Sequence, residues 1–206
     1  MSKAVPENKI ADRETDLIRN DNAPRDHVVE FYSDDTAFLN TLSDYISEGL
    51  KKGESVIVVA TASHRVSLEF RLRALGFPLS TLVNDDRYIA LDAEETLDKL
   101  MIGDLPDERV FQQLATLLLG RARKNGCGVR AFGEMVALLW TKGNKTASKQ
   151  LESLWNQLRR KQEFQLFCAY PSKVFDKNSE LEIQDICSAH TSVVKSHPLT
   201  SSHPQS

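Results

Sequence analysis

Short apolar runs of strand length alternate with longer amphipathic patterns along most of this chain. The run Ser55–Ala60 (SVIVVA) is the most constraining, because it is unbroken and rich in β-branched residues. Such a run is typical of a parallel strand that is buried on both faces. Four further runs are predicted to be strands: His27–Tyr32, Tyr88–Leu91, Val129–Phe132 and Phe164–Tyr170.

Spacings of three and four residues between apolar positions predict the helices. They cover Asp35–Lys52, Ser63–Leu75, Glu94–Met101, Asp107–Lys124, Lys145–Gln162 and Ser179–Val193. Strands that alternate with helices of this length indicate βαβ units with right-handed crossovers. We therefore predict an α/β fold, with a mainly parallel sheet of five or more strands flanked by helices.

Both ends of the chain differ in composition from the middle. Residues 1–25 are polar and charged, and residues 195–206 are rich in Ser, His and Pro. Segments with so few apolar side chains cannot bury enough surface to offset the loss of chain entropy. We expect a disordered arm and a disordered tail around one domain of residues 26–194.

Charge and cysteine content exclude several classes of protein. The net charge of −3 argues against a broad nucleic-acid surface, and no apolar run approaches the roughly 18 residues that span a bilayer. The three cysteines are widely spaced, and no signal peptide is evident. We expect reduced thiols in a cytoplasmic protein that has neither a nucleic-acid nor a membrane partner.

Several segments, taken together and in order, resemble the MEDS (methanogen/methylotroph DcmR sensory) domain family. They are HVVEFYSDD (His27–Asp35), EGLKKGESVIVVAT (Glu48–Thr61), LDAEETLDKLM (Leu91–Met101), RAFGEMVALLWTKGN (Arg130–Asn144), LESLWNQL (Leu151–Leu158) and FCAYP (Phe167–Pro171). The resemblance implies a sensory module for small hydrocarbon derivatives, of the kind found in a regulator of dichloromethane metabolism and beside histidine kinases. It also implies a distant similarity to RecA/KaiC-type ATPases, and hence a three-layer sandwich.

The junction between the first strand and the first helix does not suit ATP. A P-loop places glycines and a lysine there to hold the phosphates, whereas this junction reads FYSDDTAFLN. Asp34 and Asp35 would put two negative charges where phosphates would lie. No GxSxG motif is present either. We therefore expect a RecA/KaiC-like sandwich without a P-loop, and no enzymatic activity.

The rule that ligands bind at the carboxyl ends of parallel strands selects the candidate site. The predicted ligand-binding residues are Tyr32, Asp34, Asp35, Thr61, His64, Arg65, Glu134, Met135 and Trp140. An aspartate at position 34 or 35 has another role available, because its carboxylate could cap the first helix.

Glu134 lies near the position of the Walker B acid in a RecA-like ATPase. The alternative is a salt bridge to Arg130 or to another basic residue, which would leave Glu134 with a structural role. Phe31, Met135 and Trp140 could line an apolar pocket for a small hydrophobic ligand, although packing in the core is the more common role for a tryptophan such as Trp140.

Cys187 and His190 have helical spacing and could form a metal site with Cys168 or His27. Nothing in the sequence brings these residues together, so we expect no metal and no cofactor. The resemblance favours a signal-input module that binds a small molecule and relays the signal to a histidine kinase or another regulator, with a homodimer as one compatible assembly. The alternatives are a ligand-free adaptor of a sensor kinase and a degenerate nucleotide-binding protein.

Overall fold

A computed structural model describes residues 26–124, 126–176 and 178–195. Six strands form one sheet in the order β3-β2-β6-β7-β1-β8, and every neighbouring pair is parallel. The strands are β1 (His27–Tyr32), β2 (Ser55–Ala60), β3 (Tyr88–Asp92), β6 (Val129–Gly133), β7 (Gln165–Pro171) and β8 (Ser192–Lys195). A separate two-stranded antiparallel ribbon joins β4 (Met101–Ile102) to β5 (Leu105–Pro106). The predicted arm of residues 1–25 lies outside the described residues, and so does the predicted tail of residues 195–206 except for Lys195, which is the last residue of β8.

Helices cover both faces of the sheet, which confirms the predicted α/β class. One face carries α1 (Asp35–Lys51), α2 (Ala62–Ala74) and α3 (Leu79–Asn84). The other carries α4 (Ala93–Leu100), α5 (Glu108–Ala122), α6 (Met135–Thr141), α7 (Lys145–Lys161) and α8 (Glu180–Ala189). Each face has its own apolar core, and β2 contributes to both because all six of its residues are buried.

The direction of the crossovers positions the candidate site. The connections after β1 and β2 run over the face of α1 and α2, whereas those after β6 and β7 run over the opposite face. The chain therefore leaves in opposite directions from the neighbouring strands β2 and β6, and again from β1 and β7. Ligands of open α/β sheets bind in crevices at such switch points. We call the side of the sheet formed by the carboxyl ends of the strands the carboxyl edge.

The predicted last helix over Ser179–Val193 is wrong over its last four residues, 190–193. Helix α8 ends at Ala189, and Ser192–Lys195 forms β8 beside β1. The backbone N–H of His27 donates to Thr191 Oγ1 at 2.8 Å, and the N–H of Thr191 donates to the His27 carbonyl at 2.8 Å. These bonds satisfy polar groups at an edge of β1 that would otherwise stay open, so tertiary pairing prevails over the local helical pattern.

Two short helices were missed by the sequence analysis. Helix α3 has six residues and α6 has seven, so neither has two full turns in which an apolar periodicity could show. Helix α6 begins directly after Glu134 and buries Met135 and Trp140 in the core. The candidate residues of that segment therefore lie on a helix.

Candidate functional site

Glu134 joins the carboxyl ends of β2 and β6. Its side chain is buried, and Oε2 accepts the backbone N–H of Thr61 at 2.8 Å. Oε1 lies 2.7 Å from Nδ1 of His64, in the first turn of α2. The structure thus brings three predicted site residues together, but their polar atoms bond to one another and close the crevice between β2 and β6.

The alternative of a salt bridge is wrong for Arg130, and the basic residue that Glu134 contacts is His64. Arg130 is buried and bonds to Glu54 and, at 3.3 Å, to Glu48. Strand residues rise about 3.3 Å each, so four positions along β6 separate Arg130 from Glu134 by the length of the strand. The two residues consequently fix opposite ends of β6.

The same network continues to β3. Arg65 donates to Asp92 at 3.1 Å, and the Asp92 carboxylate caps α4 by accepting the N–H groups of Glu94 and Glu95. The backbone hydrogen bond from Glu95 is the main cause that lowers the pKa of Asp92. The hydrogen bond to Glu134 raises the pKa of His64, against the opposing effect of burial. This network fastens α2 to the sheet.

The second crevice, between β1 and β7, is a shallow depression at the protein surface. Its volume is about 340 Å³, and Tyr32, Asp35 and Lys173 are among its lining residues. Asp34 caps α1, as predicted, because its carboxylate accepts the N–H of Ala37 at 2.6 Å. A carboxylate therefore occupies the start of the helix, where a P-loop protein would present free N–H groups to phosphate.

An aromatic cluster lies on the face of the sheet that carries α7 and α8. Trp140 contacts Tyr170 and Phe175, and Phe31 contacts the same two rings, with centroid separations of 5.3 to 6.0 Å. Trp140 is buried, and its indole Nε1 has no hydrogen-bond partner among the described residues. An apolar pocket was predicted from Phe31, Met135 and Trp140. The structure joins Phe31 and Trp140 through Tyr170 and Phe175, and Met135 is buried in the same core.

A cleft of about 390 Å³ lies beside this cluster. Helices α7 and α8 supply most of its lining, together with Trp140 and Tyr170. Glu152 of α7 is the buried carboxylate in its wall, and burial raises its pKa to about 7. The Tyr170 hydroxyl donates to Glu152 Oε1 at 2.8 Å. The cleft therefore combines aromatic walls with a few fixed polar groups.

Sequence reasoning missed Glu152, whereas the strand-end rule also selects Tyr170, at the end of the predicted fifth strand. One signal was present, because Glu152 lies four residues after Ser148 and three before Trp155, on the apolar face of α7. A carboxylate at such a position is rarely buried without a partner. His27, Cys168 and His190 converge on it, and one ligand atom from each of the four residues lies within 4.8 Å of the others. Cys187, named with His190 in the sequence analysis, does not belong to this group.

No helix in the described part of the chain is both long enough and apolar enough to cross a membrane. No curated protein matches the chain significantly. The profile of the MEDS family, described as "MEthanogen/methylotroph, DcmR Sensory domain", matches residues 26–191. That match spans most of the chain and the whole of the sheet up to its last strand, and the chain therefore belongs to the MEDS family of sensory domains.

Proposed function

We propose that this domain is a non-enzymatic signal-input module that binds a small, largely apolar molecule in the cleft between α7 and α8. The observation that carries the proposal is Trp140, a cleft residue with a buried indole N–H that lacks a hydrogen-bond partner among the described residues. An unsatisfied buried donor is unfavourable by about 1–3 kcal/mol. A ligand with one acceptor atom, such as a short alcohol, acid or haloalkane, relieves that penalty.

The size and composition of the cleft support the same ligand class. Its volume of about 390 Å³ lies near the lower end of the range for small-molecule pockets, roughly 300–1,000 Å³. The aromatic side chains of Trp140 and Tyr170 favour apolar contact. Asn156 and Glu152 supply polar groups that orient a ligand without surrounding it.

Relay of the signal by protein contact is part of the proposal. Helix α8 borders the cleft and leads directly into β8, so a ligand that moves α8 also strains the edge of the sheet. On the opposite face, Val66 and Phe70 of α2 are one turn apart and are 69% and 72% exposed. An exposed apolar strip of this kind suits a partner such as a histidine kinase, another regulator or a second copy of the chain.

The degenerate nucleotide-binding alternative has less support. Asp34 already caps α1, and the Glu134 carboxylate is bonded to Thr61 and His64. A phosphate group would have to displace one carboxylate and approach another, and both charges repel it. The ligand-free adaptor remains the second candidate, and the exposed strip on α2 is the observation that favours it.

Thermal unfolding with a panel of additives tests the proposal. Short alcohols, haloalkanes and short acids are compared with Mg-ATP on the metal-free full chain. A ligand at 100 times its Kd stabilises the native state by about 2.7 kcal/mol, which corresponds to a rise in Tm of roughly 5–11 °C for a domain of this size. We expect that rise with an apolar additive and its loss in Trp140→Leu.

The matched control is Trp155→Phe. Trp155 is also buried, but it packs against Phe111 and Phe164 and does not line the cleft. Its variant lowers the starting Tm and keeps the ligand-dependent rise. Stabilisation by Mg-ATP alone would instead support the nucleotide-binding alternative, and no shift with any additive would contradict ligand sensing and leave the adaptor.

A further inference from the structure

Four metal-ligating side chains meet inside the domain between β1, β7, α7 and the end of α8. His27 Nε2 lies 3.4 Å from Cys168 Sγ and 3.6 Å from Glu152 Oε2. His190 Nε2 lies 3.6 Å from Glu152 Oε1. The side chains of both histidines are fully buried, Cys168 is also fully buried, and the Glu152 side chain is 6% exposed.

Both imidazole rings turn the same nitrogen towards the group. His190 Nδ1 lies 2.7 Å from the Ile186 carbonyl, which can only accept, so the proton of a neutral ring is on Nδ1. His27 Nδ1 lies 3.0 Å from Asn156 Oδ1, which likewise acts as an acceptor. The lone pairs are therefore on the two Nε2 atoms. Metal-bound histidines are oriented in this way, by an outer acceptor on the other ring nitrogen.

Two of the four groups have a buried atom with no hydrogen-bond partner among the described residues. They are His190 Nε2 and Glu152 Oε2. Buried polar atoms are almost always satisfied in folded proteins. Both unsatisfied acceptors belong to residues whose ligand atoms lie within 4.8 Å of one another, so together they indicate a missing electron-pair acceptor. A cation accepts both electron pairs at once.

The spacing suits a small divalent ion. Zinc binds His nitrogen at about 2.0–2.1 Å, Cys sulfur at about 2.3 Å and carboxylate oxygen at about 2.0–2.2 Å, in tetrahedral geometry. Ligand atoms around such an ion are then roughly 3.3–3.7 Å apart. The measured separations of 3.4 and 3.6 Å fall in that range, and the widest separation in the group is under 4.8 Å. Modest side-chain rotation is enough to close the site.

We propose that His27, Glu152, Cys168 and His190 form a binding site for a divalent transition-metal cation of the zinc class. The mixed nitrogen, sulfur and oxygen donors favour zinc over magnesium or calcium, which take oxygen ligands. The proposed site does not depend on small-molecule binding in the cleft. Glu152 and Asn156 also line the cleft, which gives the ion a route from solvent.

Charge and protonation are compatible with this site. Burial lowers the pKa of His27 to about 2 and that of His190 to about 4, so both rings are neutral, as metal binding requires. Burial raises the pKa of the Cys168 thiol, so the cation displaces the thiol proton into solvent as the Sγ–metal bond forms. Burial also raises the pKa of Glu152 to about 7, so a proton held by that carboxyl group leaves for solvent in the same step. The thiolate and the Glu152 carboxylate then balance a charge of +2 beside the Arg159 guanidinium, which also acts on His27.

Titration of the chelator-treated full chain with Co²⁺ and Zn²⁺ tests the site. We expect one Co²⁺ per chain, with a thiolate-to-cobalt charge-transfer band and the intense visible bands of a tetrahedral ion, and Zn²⁺ should displace both signals. Zn²⁺ should also raise the Tm of the wild-type protein by mass action. The absence of a one-to-one complex, or a complex without the thiolate band, would overturn the proposal from the wild-type protein alone.

Variants identify the ligands. Cys168→Ser keeps the volume of the side chain and should abolish the charge-transfer band, and His190→Gln should weaken binding by more than about 100-fold. Asn156→Ala removes only the outer acceptor of His27 and should weaken binding by about 10- to 100-fold. Cys127→Ser and Cys187→Ser are the matched controls, because these two cysteines lie outside the group.

One pattern of variant spectra would contradict the proposed ligands. If the band survives Cys168→Ser and disappears in Cys187→Ser, the metal binds elsewhere and the four residues form a hydrogen-bonded network of neutral groups. These titrations contain no small-molecule additive, whereas the additive panel is run without metal. The metal site and ligand sensing can therefore fail separately.

Discussion

Replacement of Glu134 by Gln should make the stability of this domain less dependent on pH. In the native protein the Glu134 carboxylate bonds to the Thr61 N–H and to His64, and the side chains of His64 and Glu134 are 12% and 7% exposed. The hydrogen bond to Glu134 raises the pKa of His64 above the ordinary value of 6.5, with a smaller contribution from the charge of Asp35. A histidine whose pKa is raised by folding stabilises the native state below its unfolded pKa, and that stabilisation disappears as the pH rises through the folded pKa.

The magnitude follows from the two hydrogen bonds of the carboxylate. Each bond to a charged group contributes about 1.5–3 kcal/mol, and a neutral amide acceptor retains about 1 kcal/mol of the bond from Thr61. We expect Glu134→Gln to lower the free energy of unfolding by about 2–5 kcal/mol near pH 5.5 and by about half as much near pH 8.5. The difference between the two pH values is the part that depends on protonated His64.

Urea unfolding followed by circular dichroism at the two pH values measures both quantities. His64→Gln should remove the same pH-dependent part as Glu134→Gln. The control is Arg73→Gln, which breaks the exposed pair between Arg73 and Glu69, where the Arg73 side chain is 61% exposed, and it should change stability by less than about 0.5 kcal/mol at either pH. If Glu134→Gln and the wild-type protein lose equal stability between the two pH values, the ion pair with His64 is not the source of the pH-dependent stability.

Three further sets of substitutions have defined outcomes. Asp34→Ala removes the cap of α1 and should lower the free energy of unfolding by about 1 kcal/mol, measured by urea unfolding; no change would mean that the cap contributes nothing. Gly49→Ala would place a Cβ 2.8 Å from Arg130 Cδ, whereas Gly120→Ala meets no atom within 4 Å. The first should lower Tm and the second should raise stability by about 0.5–1 kcal/mol, so equal effects in a thermal melt would contradict the packing argument. Arg130→Ala removes the cation that pairs with the partly buried carboxylates of Glu48 and Glu54 and should destabilise the domain by about 1.5–3 kcal/mol. Arg130→Met keeps most of the side-chain volume, so in the same assay it should be as harmful as Arg130→Ala if the loss of charge dominates, and a clearly milder effect would show that the loss of packing dominates.

The central strands could be predicted because their burial is evident from the local sequence. Every residue of β2 is buried, and a strand covered on both faces must be apolar along its whole length. Strand β8 has no such signal, because its formation depends on an open edge of β1 that lies far away in the sequence. A pairing of that kind is decided by topology, and a reading of residues 179–195 alone favours a helix.

Part of the candidate site could likewise be predicted from the sequence, and part could not. The strand-end rule selected Thr61, His64 and Glu134, and the structure places them in contact, but the rule could not show that they would satisfy one another. Glu152 was missed because its partners come from β1, β7 and the end of α8. A lone polar residue on an apolar helix face carries a signal, but its meaning depends on which side chains the fold brings opposite.

The position of β1 has a consequence for the order in which the domain forms. Its two neighbours in the sheet are β7 and β8, so that His27 is paired with Leu166 and Val28 with Ser192. Strands β2, β3 and β6 pair among themselves from the middle of the chain. During synthesis β1 therefore stays unpaired until β7 and β8, near the end of the domain, have been made. Contacts of such long sequence separation slow folding. The half of the sheet that contains β2 can assemble earlier, and docking of β1 between β7 and β8 is then the step that completes the native structure.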